Sequence, residues 1–251
     1  MNISRASSQT IAAEAGQALN KLFEARRGRE FLFLSSGGSS LALLEHVDPS
    51  YFGPQSAIGV LDERYSTDPA VNNLAQLEAS PFFQKIKQSG ITVIDTKPLE
   101  SETKEDVAAR FEEQLRAWVT KMGANGSIIA SVGVGPDAHT SGIMPFPEDQ
   151  AFFDATFDAT FSATCDATFG AADRWVVAYD AQLKNPHRLR VTTTFPFLRK
   201  IDAAVIFITG ENKRAALAKL LAVDGSLAES PCRIWREVSG ATIYTDLDSA
   251  L

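Results

Sequence analysis

Four short, uninterrupted apolar runs limit this chain to very few architectures. They are Phe31-Leu-Phe-Leu-Ser35, Ala57-Ile-Gly-Val-Leu61, Ser127-Ile-Ile-Ala-Ser-Val132 and residues 203–209. A strand apolar at every position is buried on both faces, the mark of a parallel sheet covered by helices. Between the runs lie stretches of helical spacing. Residues 4–26 place Ile11, Ala15, Leu19, Leu22 and Phe23 on one face, with Ser4 or Ser7 as N-cap and Gly28 as the stop. Residues 101–122 do the same with Val107, Phe111, Leu115 and Val119, behind the acidic first turn of Glu105 and Asp106. Shorter helical pieces fall at 41–47, 72–77, 81–88, 195–198 and 214–222, and further strands at 91–94, 175–179, 188–194 and 242–244. Thr245-Asp246 reads as the cap of a short terminal helix. The expectation is an α/β fold with a doubly wound, largely parallel sheet and helices on both faces. No linker-like stretch divides it, so residues 1–251 are read as a single domain.

Composition narrows the function class. The 24 Lys and Arg against 31 Asp and Glu leave a net charge of −7 with no long run of either sign, which argues against a nucleic-acid face. Cys165 and Cys232 stand far apart and outside any CxxC pattern, pointing to a reducing compartment and no zinc site. No apolar stretch nears the ~20 residues of a membrane span, and polar residues interrupt the N-terminus where a secretory core would lie. A soluble, cytoplasmic protein is expected; oligomeric state is open.

Residues 154–169 are four tandem tetrapeptides, Asp-Ala-Thr-Phe twice, Ser-Ala-Thr-Cys, and Asp-Ala-Thr-Phe. An even period suits a strand with a Phe-lined face, whereas in a helix the Phe residues would drift round the surface. This stretch reads as an inserted loop or edge hairpin without a chemical role.

The chemistry-bearing residues fall where strands end. The first run enters Ser36-Gly-Gly-Ser-Ser40, whose free N–H groups and hydroxyls suit an anion; no Gly-Lys-Ser/Thr follows, so it is not a Walker A loop. The second run ends in Asp62-Glu-Arg64 and the third in Gly133-Val-Gly-Pro-Asp137-Ala-His139. Arg190-Val-Thr192 and Lys213 complete the set. Taken alone, each has an ordinary reading: a steric glycine turn, a solvated charge cluster, a capping Asp beside an incidental His, a surface lysine. Open parallel sheets gather ligands at the carboxyl ends of their strands, however, and there these residues converge. Cationic and hydroxyl donors beside an Asp-x-His pair suit a phosphorylated substrate held while the imidazole moves a proton.

Ser-Gly-Gly-Ser-Ser, Asp-Glu-Arg, Gly-x-Gly-x-Asp-x-His-Thr-Ser, Arg-Val-Thr-x-Thr and Thr-Gly-x-x-Lys occur here in the order found in 6-phosphogluconolactonases. The chain resembles that family, which includes glucosamine-6-phosphate deaminases, over roughly residues 8–250 apart from the repeat. The resemblance implies a Rossmann-like fold and hydrolysis of 6-phospho-D-glucono-1,5-lactone to 6-phosphogluconate in the oxidative pentose phosphate pathway. The implied partner is that small phosphorylated sugar lactone, with no cofactor. By the same resemblance His139 is the general base, and Asp137 and Asp62 lie near the reacting ring and orient or polarise the histidine. Arg64 meets substrate charge, and Gly38, Ser39, Ser40, Arg190 and Lys213 hold the phosphate. Imidazole, titrating near ~6.5, suits this work at neutral pH better than a solvated carboxylate near ~4.

The chain departs from the family pattern in three places. Asp-Gly-His becomes Asp137-Ala138-His139, the usual Gly-Gly-Ser-Thr-Pro lacks its proline, and the segment after Arg64 is short and lacks Val-Pro. Two alternatives stand beside the lactonase. A deaminase/isomerase resembles Asp-Gly-His-Ile-Ala-Phe-Asn-Glu at this loop, but the position of its final carboxylate is Met144 here, and its Asp-Glu-Tyr is Asp-Glu-Arg. A catalytically silent sugar-phosphate-binding protein is the other.

Overall fold

The structure, a computed structural model, describes residues 1–158 and 173–248. Its strands are β1 (Asn2–Arg5), β2 (Phe31–Ser35), β3 (Ser56–Val60), β4 (Asp62–Arg64), β5 (Thr92–Val93), β6 (Ser127–Gly133), β7 (Val176–Asp180), β8 (Leu189–Thr193), β9 (Ala203–Ile208) and β10 (Gly240–Thr245). The α-helices are α1 (Ile11–Glu24), α2 (Asn73–Ala79), α3 (Pro81–Ile86), α4 (Lys104–Met122), α5 (Gln150–Phe157), α6 (Phe195–Leu198) and α7 (Arg214–Leu221).

Seven strands form one parallel sheet in the order β1-β10-β9-β6-β2-β3-β5. The fully apolar runs occupy its centre, as expected. Alternation along β2 divides the core: Phe31 and Phe33 pack with α1, α2 and α3 through Phe23, Leu74 and Phe82, while Leu32 and Leu34 pack with Phe111 and Leu115 of α4. Helices therefore cover both faces. Thr103 caps α4 in a reciprocal pair with Asp106, and Gly28, at φ +77°, follows the end of α1.

The remaining strands depart from the expectation of a single sheet. β4, β8 and β7 make a separate antiparallel sheet in that order. Only residues 181–188 join β7 to β8, too few for the dozen or more that a parallel crossover needs, so the two strands close as a hairpin. Asp62-Glu-Arg64 is accordingly a strand paired with β8, not a solvated turn.

Other differences are local. Residues 2–5 form an edge strand on β10, and α1 starts after Thr10, so neither Ser4 nor Ser7 is its N-cap. The helical pattern after the Gly-Gly-Ser turn is a 3-10 helix, Gly38–His46. Thr245-Asp246 caps no helix among the described residues; the Thr245 hydroxyl accepts from Leu247 N, and Asp246 accepts from Gly210 N. The first tetrapeptide of the repeat is the last turn of α5, with Phe157 buried edge-on against Tyr179, so there the expected loop or hairpin is replaced by helix. Asp158 pairs with Arg199, and residues 159–169 of the repeat lie outside the described residues. No described helix is long and apolar enough to cross a membrane.

Candidate active site

A cleft of roughly 230 Å³ opens where β2, β6 and β9 end and the antiparallel sheet begins. Three groups of residues build it.

The first is the turn after β2. Gly38 adopts φ +68°, a left-handed conformation that favours glycine, and a Cβ on Gly37 would collide with the Asn73 amide. Gly38 and Ser39 line the cleft. Ser40 does not: its buried hydroxyl donates to Ser36 O at 2.6 Å and to Gly37 O at 3.2 Å, bracing the turn instead of facing a ligand. Lys213, just beyond β9, reaches across to Ser39 Oγ at 3.3 Å. Burial lowers its pKa, and among the described residues it makes no ion pair. A desolvated ammonium without a counter-ion favours an arriving anion.

The second group comes from the antiparallel sheet, not from the edge of the parallel one. The β4–β8 register sets Arg64 opposite Arg190 and Asp62 opposite Thr192. Arg190, 4% exposed, donates from Nη1 to Asp62 Oδ2 at 3.2 Å and from Nε to His187 O at 2.9 Å. Arg64 is half-buried with Nε unpartnered; burial, then the charge of Arg190, lowers its pKa. His187 is lowered as well, by desolvation and then by the two arginines. This corner holds positive charge beyond what Asp62 neutralises. Asp62 makes its contacts with Arg190 and Asn73, while the hydrogen bond that orients His139 comes from Asp137.

The third group is the loop after β6. Asp137 Oδ1 lies 2.5 Å from His139 Nδ1 and accepts from the His139 backbone N–H at 3.2 Å. A carboxylate can only accept, so it holds the proton on Nδ1 and leaves Nε2 as the basic nitrogen. Partial desolvation works to raise the Asp137 carboxyl, but the hydrogen bond and charge of His139 outweigh it, and its pKa is lowered. A Cβ on Gly135 would overlap the imidazole, so glycine at that position lets the ring fold back on the loop.

The loop is braced from outside. Trp235 Nε1 donates to Thr140 Oγ1 at 2.9 Å, and Cys232 N donates to Ala138 O at 3.0 Å. Thr192 and Tyr179 hydroxyls donate to the carbonyls of Ser141 and Gly142. Ala138, at φ +71°, occupies the left-handed region at a cost of about 1–2 kcal/mol for a residue with a Cβ. The structure therefore brings His139, Asp62, Arg64, Arg190, Lys213, Gly38 and Ser39 to one cleft, joins Asp137 to it through His139, and leaves Ser40 behind the turn.

Sequence reasoning missed Asn73, Ser141, Ser36 and Asn185, which also line the cleft. Ser141 was visible in His-Thr-Ser and Asn73 in an Asn pair, but nothing local showed where their side chains point. Ser36 Oγ, Arg64 Nε, Asn73 Oδ1 and Ser141 Oγ are buried without partners in the cleft wall. Buried polar atoms are nearly always hydrogen-bonded, so their convergence marks a ligand site. A larger groove of about 390 Å³ beside α1 and β10 offers Glu14 and Lys21 but no such convergence. Among the described residues no three His, Cys, Asp or Glu side chains gather as metal ligands would.

The family model described as glucosamine-6-phosphate isomerases/6-phosphogluconolactonase matches residues 3–244. A 6-phosphogluconolactonase of Nostoc sp. is 25% identical over 236 residues, covering 89% of this chain and 85% of that protein. The 6-phosphogluconolactonase of Plasmodium vivax superposes with a TM-score of 0.74 at 16% identity, covering 97% of this chain and 89% of its own. That of Leishmania guyanensis gives 0.71 at 15% identity, covering 100% and 98%. At these identities the two structures establish the shared fold.

Proposed function

The chain belongs to the glucosamine-6-phosphate isomerase/6-phosphogluconolactonase family, and on that premise we propose that it hydrolyses 6-phospho-D-glucono-1,5-lactone to 6-phosphogluconate. The observation that carries the reading is His139, oriented by Asp137, facing a cleft that Arg64, Arg190 and Lys213 also line.

The phosphate sits between Lys213 and the Gly38-Ser39 turn, where N–H groups and an unpaired ammonium supply charge-assisted hydrogen bonds. His139 Nε2 takes a proton from water as its oxygen attacks the lactone carbonyl carbon. Negative charge gathers on the former carbonyl oxygen, and Arg64 and Arg190 lie in the wall to stabilise it. The intermediate collapses, the carbon–ring-oxygen bond breaks, and the imidazolium returns its proton to the departing oxygen. The carboxylic acid product then ionises, releasing one proton to solution. Asp137 keeps the imidazole in the required tautomer throughout, while Asp62 holds Arg190 in place.

Met144 speaks against deamination by this site. It stands five residues after His139, is fully buried, and supplies no carboxylate. We place the activity in the cytoplasm, in keeping with two cysteines that form no motif. The test is proton release from fresh 6-phosphogluconolactone, corrected for spontaneous hydrolysis. Turnover that His139→Ala abolishes supports the proposal. Ammonia release from glucosamine-6-phosphate with no lactone turnover refutes it, and neither activity leaves a binding protein.

A further inference from the structure

We infer that Asn73 is a specificity-determining residue of the cleft, its side-chain carbonyl accepting a hydrogen bond from a hydroxyl of the bound sugar. The identity of the sugar rests on the hydrolytic reading above; the need for a donor rests on the geometry of Asn73 alone.

Asn73 begins α2, behind Asn72, whose side chain caps the helix by accepting from Ala75 N at 2.8 Å. It is held from below by Glu63, which is fully buried and joins three segments. Glu63 accepts from the backbone N–H of Arg64 at 2.8 Å, of Asn73 at 2.5 Å and of Leu74 at 3.0 Å, and from the Thr96 hydroxyl at 2.9 Å. The backbone of Asn73 therefore has little freedom.

Its side chain has equally little. Nδ2 donates to Asp62 O at 2.9 Å and to Asp62 Oδ2 at 3.3 Å. Both partners are acceptors, so only the amide NH2 can face them, and Oδ1 must face the other way. There it packs against Gly37 in the cleft wall, buried and without a partner. Any Cβ at Gly37 would strike Oδ1, so only glycine fits beside it.

The sign of this orphan is informative. Arg64 Nε can only donate, and the hydroxyls of Ser36 and Ser141 can serve either way. Asn73 Oδ1 can only accept. A fully ionised phosphate or a carboxylate has no hydrogen to offer it, whereas a sugar hydroxyl does. The cationic groups admit a phosphorylated ligand, and Asn73 tests whether it carries a hydroxyl at the right place. A site built to hydrogen-bond a hydroxyl discriminates strongly against the analogue lacking it, because its own polar atom is left unpaired.

The experiment compares kcat/KM of the wild type and Asn73→Ala on 6-phosphogluconolactone and on its 2-deoxy, 3-deoxy and 4-deoxy analogues. The wild type is expected to lose roughly tenfold or more on one analogue. Asn73→Ala should lose a similar factor on the parent, lose little more on that one analogue, and still fall in step with the wild type on the other two. A uniform loss on all four lactones would show that Asn73 acts only through Asp62, and overturns the inference. If the variant does not fold, the wild-type panel decides alone: equal turnover of all four overturns it. If the wild type hydrolyses none of them, the hydrolytic reading fails separately, and calorimetric binding of 6-phosphogluconate and its deoxy counterparts takes over. The same single-hydroxyl dependence is then expected, and its absence, or no binding at all, overturns the assignment.

Discussion

Glu63, the middle residue of β4, has no exposed surface against the start of α2, and burial, opposed only in part by the four donors around it, pushes its carboxyl from the ordinary 4.5 up to about 7. A carboxyl so raised is about 3 kcal/mol less favourable as an anion inside the fold than in the unfolded chain. The direction of the pH effect follows from proton counting. Below about pH 4.5 the group is protonated in both states and nothing is lost. Between about 4.5 and 7 the unfolded chain has released a proton that the native state still holds, so stability falls as pH rises; above about 7 both are ionised and the slope vanishes. Glu63→Gln removes this titration while keeping the shape. The protonated acid can turn its O–H to the Thr96 hydroxyl, which rotates to accept, and still receive Leu74 N–H on the same oxygen. The amide NH2 has two donors and no acceptor, so Gln leaves Leu74 N–H without its partner. The variant should thus be the less stable at acid pH by about 1–3 kcal/mol, the cost of one unpartnered buried donor, and this offset does not vary with pH. Urea unfolding of both from pH 4.5 to 8.5 gives the difference directly, and other titrating groups cancel in it. Relative to that offset the variant should gain about 3 kcal/mol as pH passes 7. A difference that stays level across this range would refute the burial argument and show that the four donors keep Glu63 ionised at little cost.

His139→Ala should lower kcat on 6-phosphogluconolactone by roughly 10²–10⁴-fold with KM little changed, in steady-state assays corrected for spontaneous hydrolysis. Lys213→Ala should raise KM for the phosphorylated lactone roughly tenfold or more, since a charge-assisted hydrogen bond is worth about 1.5–3 kcal/mol; an equal effect on unphosphorylated gluconolactone sinks the phosphate assignment. Phe157→Ala empties a fully buried position against Phe153 and Tyr179 and should cost about 3–5 kcal/mol in thermal or urea unfolding, in contrast to an inert loop at that end of the repeat.

What could be read from the chain, and what could not, divides by distance along it. The central strands were legible because burial on both faces leaves a mark on every residue of the run. The Asp137–His139 pair was legible because its members stand two residues apart. The replacement of glycine by Ala138 was legible too, and the φ of +71° found there is the conformation at which it matters. Contacts across the sheet left no such trace. Arg190 meets Asp62 across 128 residues, and Lys213 meets Ser39 across 174. Only their places at strand ends and the order of the motifs hinted that they share a site. The antiparallel sheet was missed although the short connection between β7 and β8 pointed to it, because β4 is three residues of Asp-Glu-Arg and carries no strand pattern. Its middle residue, Glu63, is buried only because donors from Asn73, Leu74 and Thr96 arrive to meet it. Ser40 errs in the opposite direction, a hydroxyl in an anion-binding turn that bends back to brace it. A sequence motif marks which residues gather at a place; which of them faces the ligand is decided by the partners that occupy the others, and in this cleft Asp62 takes the NH2 of Asn73 and leaves its carbonyl for the substrate.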